Sequence, residues 1–248
     1  LRKTRKKKVI DATNDIGPPT NFKGFANRHK VKPRSANQAD YINKINQNSI
    51  VLCHGPAGSG KTSCAVGTAL EYLLEDKVNK IIITRPVVEA GEKLGFLPGI
   101  FEEKLHPYLL PILDEINNYS AAGTYVSLKA SNKIEIVPFG FMRGRNFHNC
   151  FIIADECQNA SYDQLKMLLT RIGRDSKMVI TGDVSQSDLP YHMRGGFKYM
   201  IDSLYGIDGI GVSVLETTDI VRNPIIEKIL DRLEMLEEKE YENSKKSS

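Results

Sequence analysis

Eight consecutive residues, Gly55-Pro56-Ala57-Gly58-Ser59-Gly60-Lys61-Thr62, restrict what this chain can fold into more than any other segment. They match G-x-x-x-x-G-K-[ST] in full, a pattern that works in one setting only: an apolar strand enters it and a helix leaves it. In that setting the glycines let backbone N–H groups turn inward around an anion, and the helix N-terminus adds its dipole. Both flanks are present. Ile50 to His54 is a short apolar run that reads as a strand, and Lys61 to Leu74 has helical character up to a Glu-Asp-Lys turn. Residues Gly55 to Ser63 are therefore expected to line a nucleotide, with Lys61 on the β- and γ-phosphates and the Thr62 hydroxyl on a magnesium ion.

The rest of the chain repeats the strand–helix alternation. Apolar runs at Asn79–Thr84, Cys150–Ala154, Lys177–Thr181 and Gly209–Leu215 read as buried strands, and Lys133–Phe139 as a strand of alternating character. Helical stretches are expected at Phe101–Asn118, at Ser161–Ile172 and at Pro224–Glu238. Pro107 and Pro111 should kink or interrupt the first of these. Such alternation implies an α/β fold, a parallel sheet with helices on both faces. Residues 36–240 read as one domain, 241–248 as a polar tail, and 1–35, with Gly17, Pro18, Pro19 and Pro33, as an arm and linker. Six of the first eight residues are basic; removing them from the net charge of +4 leaves −2, so the basic character belongs to the arm. Such an arm is either a solvated tail or a nucleic-acid contact. No apolar run approaches the roughly 20 residues that cross a bilayer. Cys53, Cys64, Cys150 and Cys157 form no C-x-x-C pair, and are expected as reduced thiols of a cytoplasmic protein.

Asp155 and Glu156 end the strand Cys150–Ala154, where ligands gather in open α/β sheets. Asp155 is the candidate to hold magnesium, and Glu156 the candidate to orient or deprotonate a water. A surface acidic pair ending a strand is the plainer alternative. Thr181-Gly182-Asp183 ends the next strand, and Gln186 follows as a candidate sensor of the γ-phosphate or the attacking water.

The order of these motifs resembles the PhoH-like ATPases. It comprises Gly55–Thr62, the block Thr84-Arg85-Pro86 through Gly99, Phe141-Met142-Arg143-Gly144-Arg145, Asp155-Glu156-Cys157-Gln158-Asn159, and Thr181-Gly182-Asp183 with Gln186, Asp188, Leu189 and Pro190. The resemblance runs from about Asn37 to Leu230. It implies a single RecA-like core related to superfamily 1 helicases, with strand order 5-1-4-3-2 over the five core strands. It further implies that Gln38 pairs with adenine, that Thr84, Arg85, Arg143 and Arg145 lie on a nucleic-acid path or act in trans, and that Arg222 reaches the γ-phosphate. The alternative for the arginines is structural ion pairing.

These observations lead to the expectation of a magnesium-dependent ATP hydrolase, and the resemblance implies RNA or single-stranded DNA as its polymer partner. A helicase-type site is completed by a second RecA-like unit, and the motifs supply one. A homo-oligomer, a ring and most simply a hexamer, with an arginine supplied in trans, would complete it. A nucleotide-gated assembly protein without unwinding activity is the alternative. A small-molecule kinase is disfavoured by Glu156 beside Asp155.

Overall fold

The computed structural model describes residues 30–86, 101–121, 123–220 and 232. Along them run α1 (Ala36–Gln47), β1 (Ile50–His54), α2 (Lys61–Leu74), β2 (Lys80–Thr84), α3 (Phe101–Tyr119), α4 (Thr124–Ala130), β3 (Ile134–Ile136), β4 (Cys150–Ala154), α5 (Tyr162–Leu169), β5 (Lys177–Gly182), α6 (Gly196–Leu204) and β6 (Ile210–Val214). The first 29 residues, most of the Thr84–Gly99 block, Arg222, the helix expected over 224–238 and the polar tail lie outside the described residues.

The strands form one parallel sheet in the order β3-β2-β4-β5-β1-β6. Read from β6, the five core strands follow the expected order 5-1-4-3-2. The sixth, β3, is added outside β2. It spans three residues rather than the expected seven, because the chain leaves the sheet at Pro138 and enters a 3₁₀ turn over Phe139–Met142. Proline has no N–H to extend the ladder.

The strands read as continuous apolar runs because the sheet is buried on both faces. Alternate residues serve opposite cores. Val51, Cys53, Ile81, Ile83, Phe151 and Ile153 pack under α1, α2 and α3. Leu52, Ile82, Ile152, Met178 and Ile180 pack against α5 and α6. Helix α3 runs through Pro107 and Pro111 without a break. Its stripe Leu109, Ile112, Leu113 and Ile116 is buried at helical spacing, and that packing outweighs the ladder bonds the prolines remove. Among the described residues, two helix starts are capped by serine. Ser35 accepts from the Gln38 N–H, and Ser161 forms a reciprocal capping box with Gln164. Helix α2 has no side-chain cap: Gly60 occupies its N-cap with φ +91°, which leaves the first-turn N–H groups for a ligand.

Candidate nucleotide site

The parallel sheet delivers the ends of β1, β5 and β4 side by side, and the phosphate loop springs from β1. The Gly55 N–H donates to the Gly182 carbonyl at 3.2 Å, which fastens the loop to the end of β5. A Cβ on Gly55 would lie 2.4 Å from the Leu215 carbonyl oxygen, so only glycine fits beneath the chain leaving β6. Gly58 and Gly60 both have positive φ. The Ser59 hydroxyl donates to the Pro56 carbonyl at 2.8 Å. The Lys61 ammonium folds back over the loop and donates to the carbonyls of Gly55 and Pro56 at 2.5 and 2.8 Å.

Asp155 is 3% exposed. Its Oδ1 accepts from the hydroxyls of Thr62 at 2.8 Å and Thr181 at 2.5 Å. Three elements, α2, β4 and β5, thus converge on one carboxylate oxygen. A buried carboxylate beside a threonine hydroxyl is a set of hard oxygen donors, and Thr62 and Asp155 fit a magnesium ion. Glu156 lines the same cleft. Its backbone has φ +56°, the left-handed region that a residue with a side chain adopts only where its surroundings hold it. Its Oε2 accepts from Gln158 Nε2 at 2.5 Å, and its Oε1 lies 3.9 Å from Arg85 Nη2. Arg85 also donates to the Tyr108 carbonyl of α3 at 2.8 Å.

The cleft is about 890 Å³. Beyond the phosphate loop it has two further walls. One is the segment Lys30, Lys32 and Arg34; the other is Glu115, Asn118 and Tyr119 of α3. Glu115 and the Tyr119 hydroxyl both meet the Ser63 hydroxyl, at 2.8 and 3.1 Å, and burial pushes the Tyr119 phenol up from its ordinary pKa. Residues 30–35, expected as part of the linker, belong to the folded unit. The Val31 N–H donates to Glu71 at 2.8 Å, and its side chain packs so close to Gly67 that a Cβ there would meet it at 2.9 Å. Neither wall was expected. The alternating Lys30, Lys32 and Arg34 were the only signal available for the first, and for the second there was none.

Other expected site residues are placed differently. Gln38 lines the cleft, yet both ends of its amide are committed to backbone. Nε2 donates to the Ser59 carbonyl and Oε1 accepts from the Arg34 N–H, each at 2.8 Å. In this arrangement it braces the loop rather than presenting a free amide to a base. Gln186 is exposed and does not line the cleft; Gln158 is the amide that reaches Glu156. Arg143 is exposed. Arg145 lies at the opposite end of the sheet. It pairs with Glu135 at 2.8 Å, covers the Phe147 ring at 4.7 Å and lines a separate cavity with Lys80 and His148 at the strands' amino ends. It is an ion-paired arginine. Thr84, at the carboxyl end of β2, is buried, and its carbonyl accepts from the Asp155 N–H at 3.1 Å.

Among known families, the one described as PhoH-like protein matches residues 30–234. A PhoH-like protein of Bacillus subtilis (strain 168) is 44% identical over 201 residues, covering 81% of this chain and 63% of the relative. Protein PhoH of Escherichia coli (strain K12) is 36% identical over 202 residues, covering 81% of this chain and 57% of the relative. The chain thus spans about three fifths of the length of these curated relatives. A looser likeness, to the Pyrococcus furiosus Hef helicase domain, has a TM-score of 0.45 at 14% identity and covers 76% of this chain and 39% of that one.

Proposed function

The chain belongs to the PhoH-like protein family, and we propose that it binds ATP in the cleft between α1, α2 and α3 and hydrolyses it to ADP and phosphate. The observation that supports this most directly is the meeting of Thr62 and Asp155 at 2.8 Å over a complete phosphate loop, with Glu156 in the same cleft.

Each side chain then has a physical task. The loop N–H groups and the start of α2 cradle the phosphates. The Lys61 ammonium exchanges its two carbonyl contacts for phosphate oxygens, where it opposes the charge that develops as the terminal phosphoryl group departs. Thr62 and Asp155 would hold magnesium, which would supply positive charge to offset that of the phosphates. The Glu156 carboxylate takes a proton from the attacking water as the water oxygen bonds to γ-phosphorus and the bond to the ADP oxygen breaks. Glu115 and Tyr119 fix Ser63 and so set the first turn of α2 against α3.

RNA or single-stranded DNA is the proposed polymer partner, with the cell interior as the proposed location. Arg85 supports this reading: its guanidinium stands between Glu156 and the α3 backbone, within reach of a phosphate chain crossing the carboxyl ends of β2 and β4. A head-to-tail ring, most simply a hexamer, would set the amino end of one sheet against the cleft of the next subunit. Arg145 or Arg143 would then serve a neighbour's nucleotide, while Arg222 remains a candidate for its own.

The test uses Lys61→Ala and Glu156→Gln. Lys61→Ala should remain folded, bind ATP weakly and lose hydrolysis. Glu156→Gln should bind magnesium-ATP as the wild type does and turn over about 10²–10⁴ times more slowly. Wild-type turnover in folded Lys61→Ala would refute the reading. Measuring the ATPase rate with RNA, with single-stranded DNA and with neither tests the partner. Dilution of the enzyme with light scattering tests the shared site: a monomer whose specific activity ignores concentration would exclude it.

A further inference from the structure

We propose that Gln158 is a positioning residue: it fixes the Glu156 carboxylate in the cleft and ties that carboxylate to the end of β5. The inference rests on the reading of Glu156 as the base.

The orientation of the Gln158 amide follows from its two partners. Oε1 accepts from the Asp183 N–H at 3.0 Å, and Nε2 donates to Glu156 Oε2 at 2.5 Å. A backbone N–H can only donate and an ionised carboxylate can only accept, so a flipped amide would lose both contacts. Gln158 is 8% exposed, and water does not readily replace either bond. Three further hydrogen bonds staple the turn that carries Gln158 to the loop that follows β5. The Gln158 carbonyl accepts from the Ser187 hydroxyl at 3.0 Å, Asn159 Nδ2 donates to Asp188 at 3.0 Å, and the Asp188 N–H donates to Asn159 Oδ1 at 2.8 Å.

The end of β5 is shaped to admit this amide. A Cβ on Gly182 would stand 2.8 Å from Gln158 Oε1 and 2.7 Å from the Phe197 ring. That same strand sends the Thr181 hydroxyl to Asp155. The end of β5 therefore touches both carboxylates, Asp155 directly and Glu156 through Gln158. The left-handed backbone at Glu156 puts its side chain where the amide can reach it, and the amide occupies one carboxylate oxygen and leaves Oε1 to accept a proton. Arg85, 3.9 Å from Oε1, is too distant to fix the group by itself. A shift of about 1 Å in a catalytic group costs on the order of 10² in rate, so the chain has reason to hold it.

The experiment compares kcat, KM and the dissociation constant for magnesium-ATP in wild type, Gln158→Met, Gln158→Glu, Glu156→Gln and the double variant Glu156→Gln/Gln158→Met. Gln158→Met keeps length and removes both polar contacts. Gln158→Glu keeps an acceptor for the Asp183 N–H but sets a second carboxyl against Glu156; two carboxyls that close share one proton, so the charge of the pair is unchanged while Glu156 is no longer a free base, and the contact is still tested if Gln158→Met folds poorly. Each should lower kcat by about 10–100-fold with KM and nucleotide affinity unchanged within twofold. In the Glu156→Gln background, Gln158→Met should add no further loss, because the group it positions has been removed. Wild-type kcat in both Gln158 variants overturns the proposal. So does a loss of the same size in the Glu156→Gln background, which would mark Gln158 as a brace for the loop alone. If Glu156→Gln itself turns over at the wild-type rate, the reading of the base fails and the role of Gln158 fails with it. If Glu156→Gln collapses turnover while the Gln158 variants do not, only the positioning role is lost.

Discussion

Replacing Gly60 by alanine should both destabilise the fold and weaken nucleotide binding, for two separable reasons. The first is backbone strain, since Gly60 has φ +91° and an L side chain there costs about 1–2 kcal/mol. The second is a collision. The new Cβ would lie 2.6 Å from Gln38 Nε2, which donates to the Ser59 carbonyl. Gln38 is 4% exposed and held at its other end by the Arg34 N–H, so its amide has little room to retreat. Losing a buried hydrogen bond and leaving its partner unmet costs about 1–3 kcal/mol. The two effects together give about 2–5 kcal/mol. Gly206→Ala is the control: Gly206 has φ +84° with no atom within 4 Å of the added Cβ, so it should show the strain alone. Gly60→Ala made on top of Gln38→Ala should likewise cost only the strain, because the obstacle is gone. Urea midpoints at constant m-value measure each difference, and titration with a non-hydrolysable ATP analogue measures the loosened loop. If Gly60→Ala and Gly206→Ala prove equally stable, the tight contact between Gln38 and the loop is wrong.

Acid should attack the junction between α1 and the chain leaving β6 through Asp219. Burial pushes this carboxyl up, but hydrogen bonds from Ser35, the Glu216 N–H and Asn37 outweigh it and hold the pKa below its ordinary value. A depressed pKa means its stabilising contribution is complete above the unfolded value of about 3.9 and fades as pH falls through the lower folded value. Asp219→Asn should therefore flatten the dependence of the urea midpoint on pH below about 4, and an unchanged slope would refute this. The four cysteines are free and buried. Burial pushes Cys64 up to about 12 and raises Cys53, Cys150 and Cys157 as well, so iodoacetamide at about pH 8 should leave native protein unlabelled and modify all four thiols after unfolding.

Gly55–Thr62 was legible because its chemistry is local: one loop, one spacing, one strand before and one helix after. The sheet order was legible through the motif series, and the apolar strand cores Ile81–Ile83 and Phe151–Ile153 could be picked out by inspection. Pro138 ended β3 early, although the apolar pattern continued past it. The cleft walls were not legible. Lys30–Arg34 and Glu115–Tyr119 are separated by some eighty residues, and only the packing of α3 on α2 joins them. The Gln158 contact was hidden for a different reason. Asp155-Glu156-Cys157-Gln158 is consecutive, but the reach of an amide back to its own turn depends on the left-handed backbone at Glu156, which sequence does not announce.

Arg145 shows which coordinate of a parallel sheet can be read from sequence. All strands of such a sheet point the same way, so a residue just after a strand stands at the carboxyl end and one just before a strand stands at the amino end. Gly55 follows β1, Arg85 follows β2, Asp155, Glu156 and Gln158 follow β4, and Asp183 follows β5; all of them gather at one end. Arg145 precedes β4 by five residues and therefore belongs to the other end, where it meets Glu135, Lys80 and His148. Motif order along the chain leaves it on a nucleic-acid path or acting in trans; position relative to the nearest strand sets it at the end of the sheet away from this chain's phosphate loop. By the same geometry, if Arg145 acts on a nucleotide, that nucleotide sits in another subunit, and reaching it requires the guanidinium to give up its 2.8 Å pairing with Glu135.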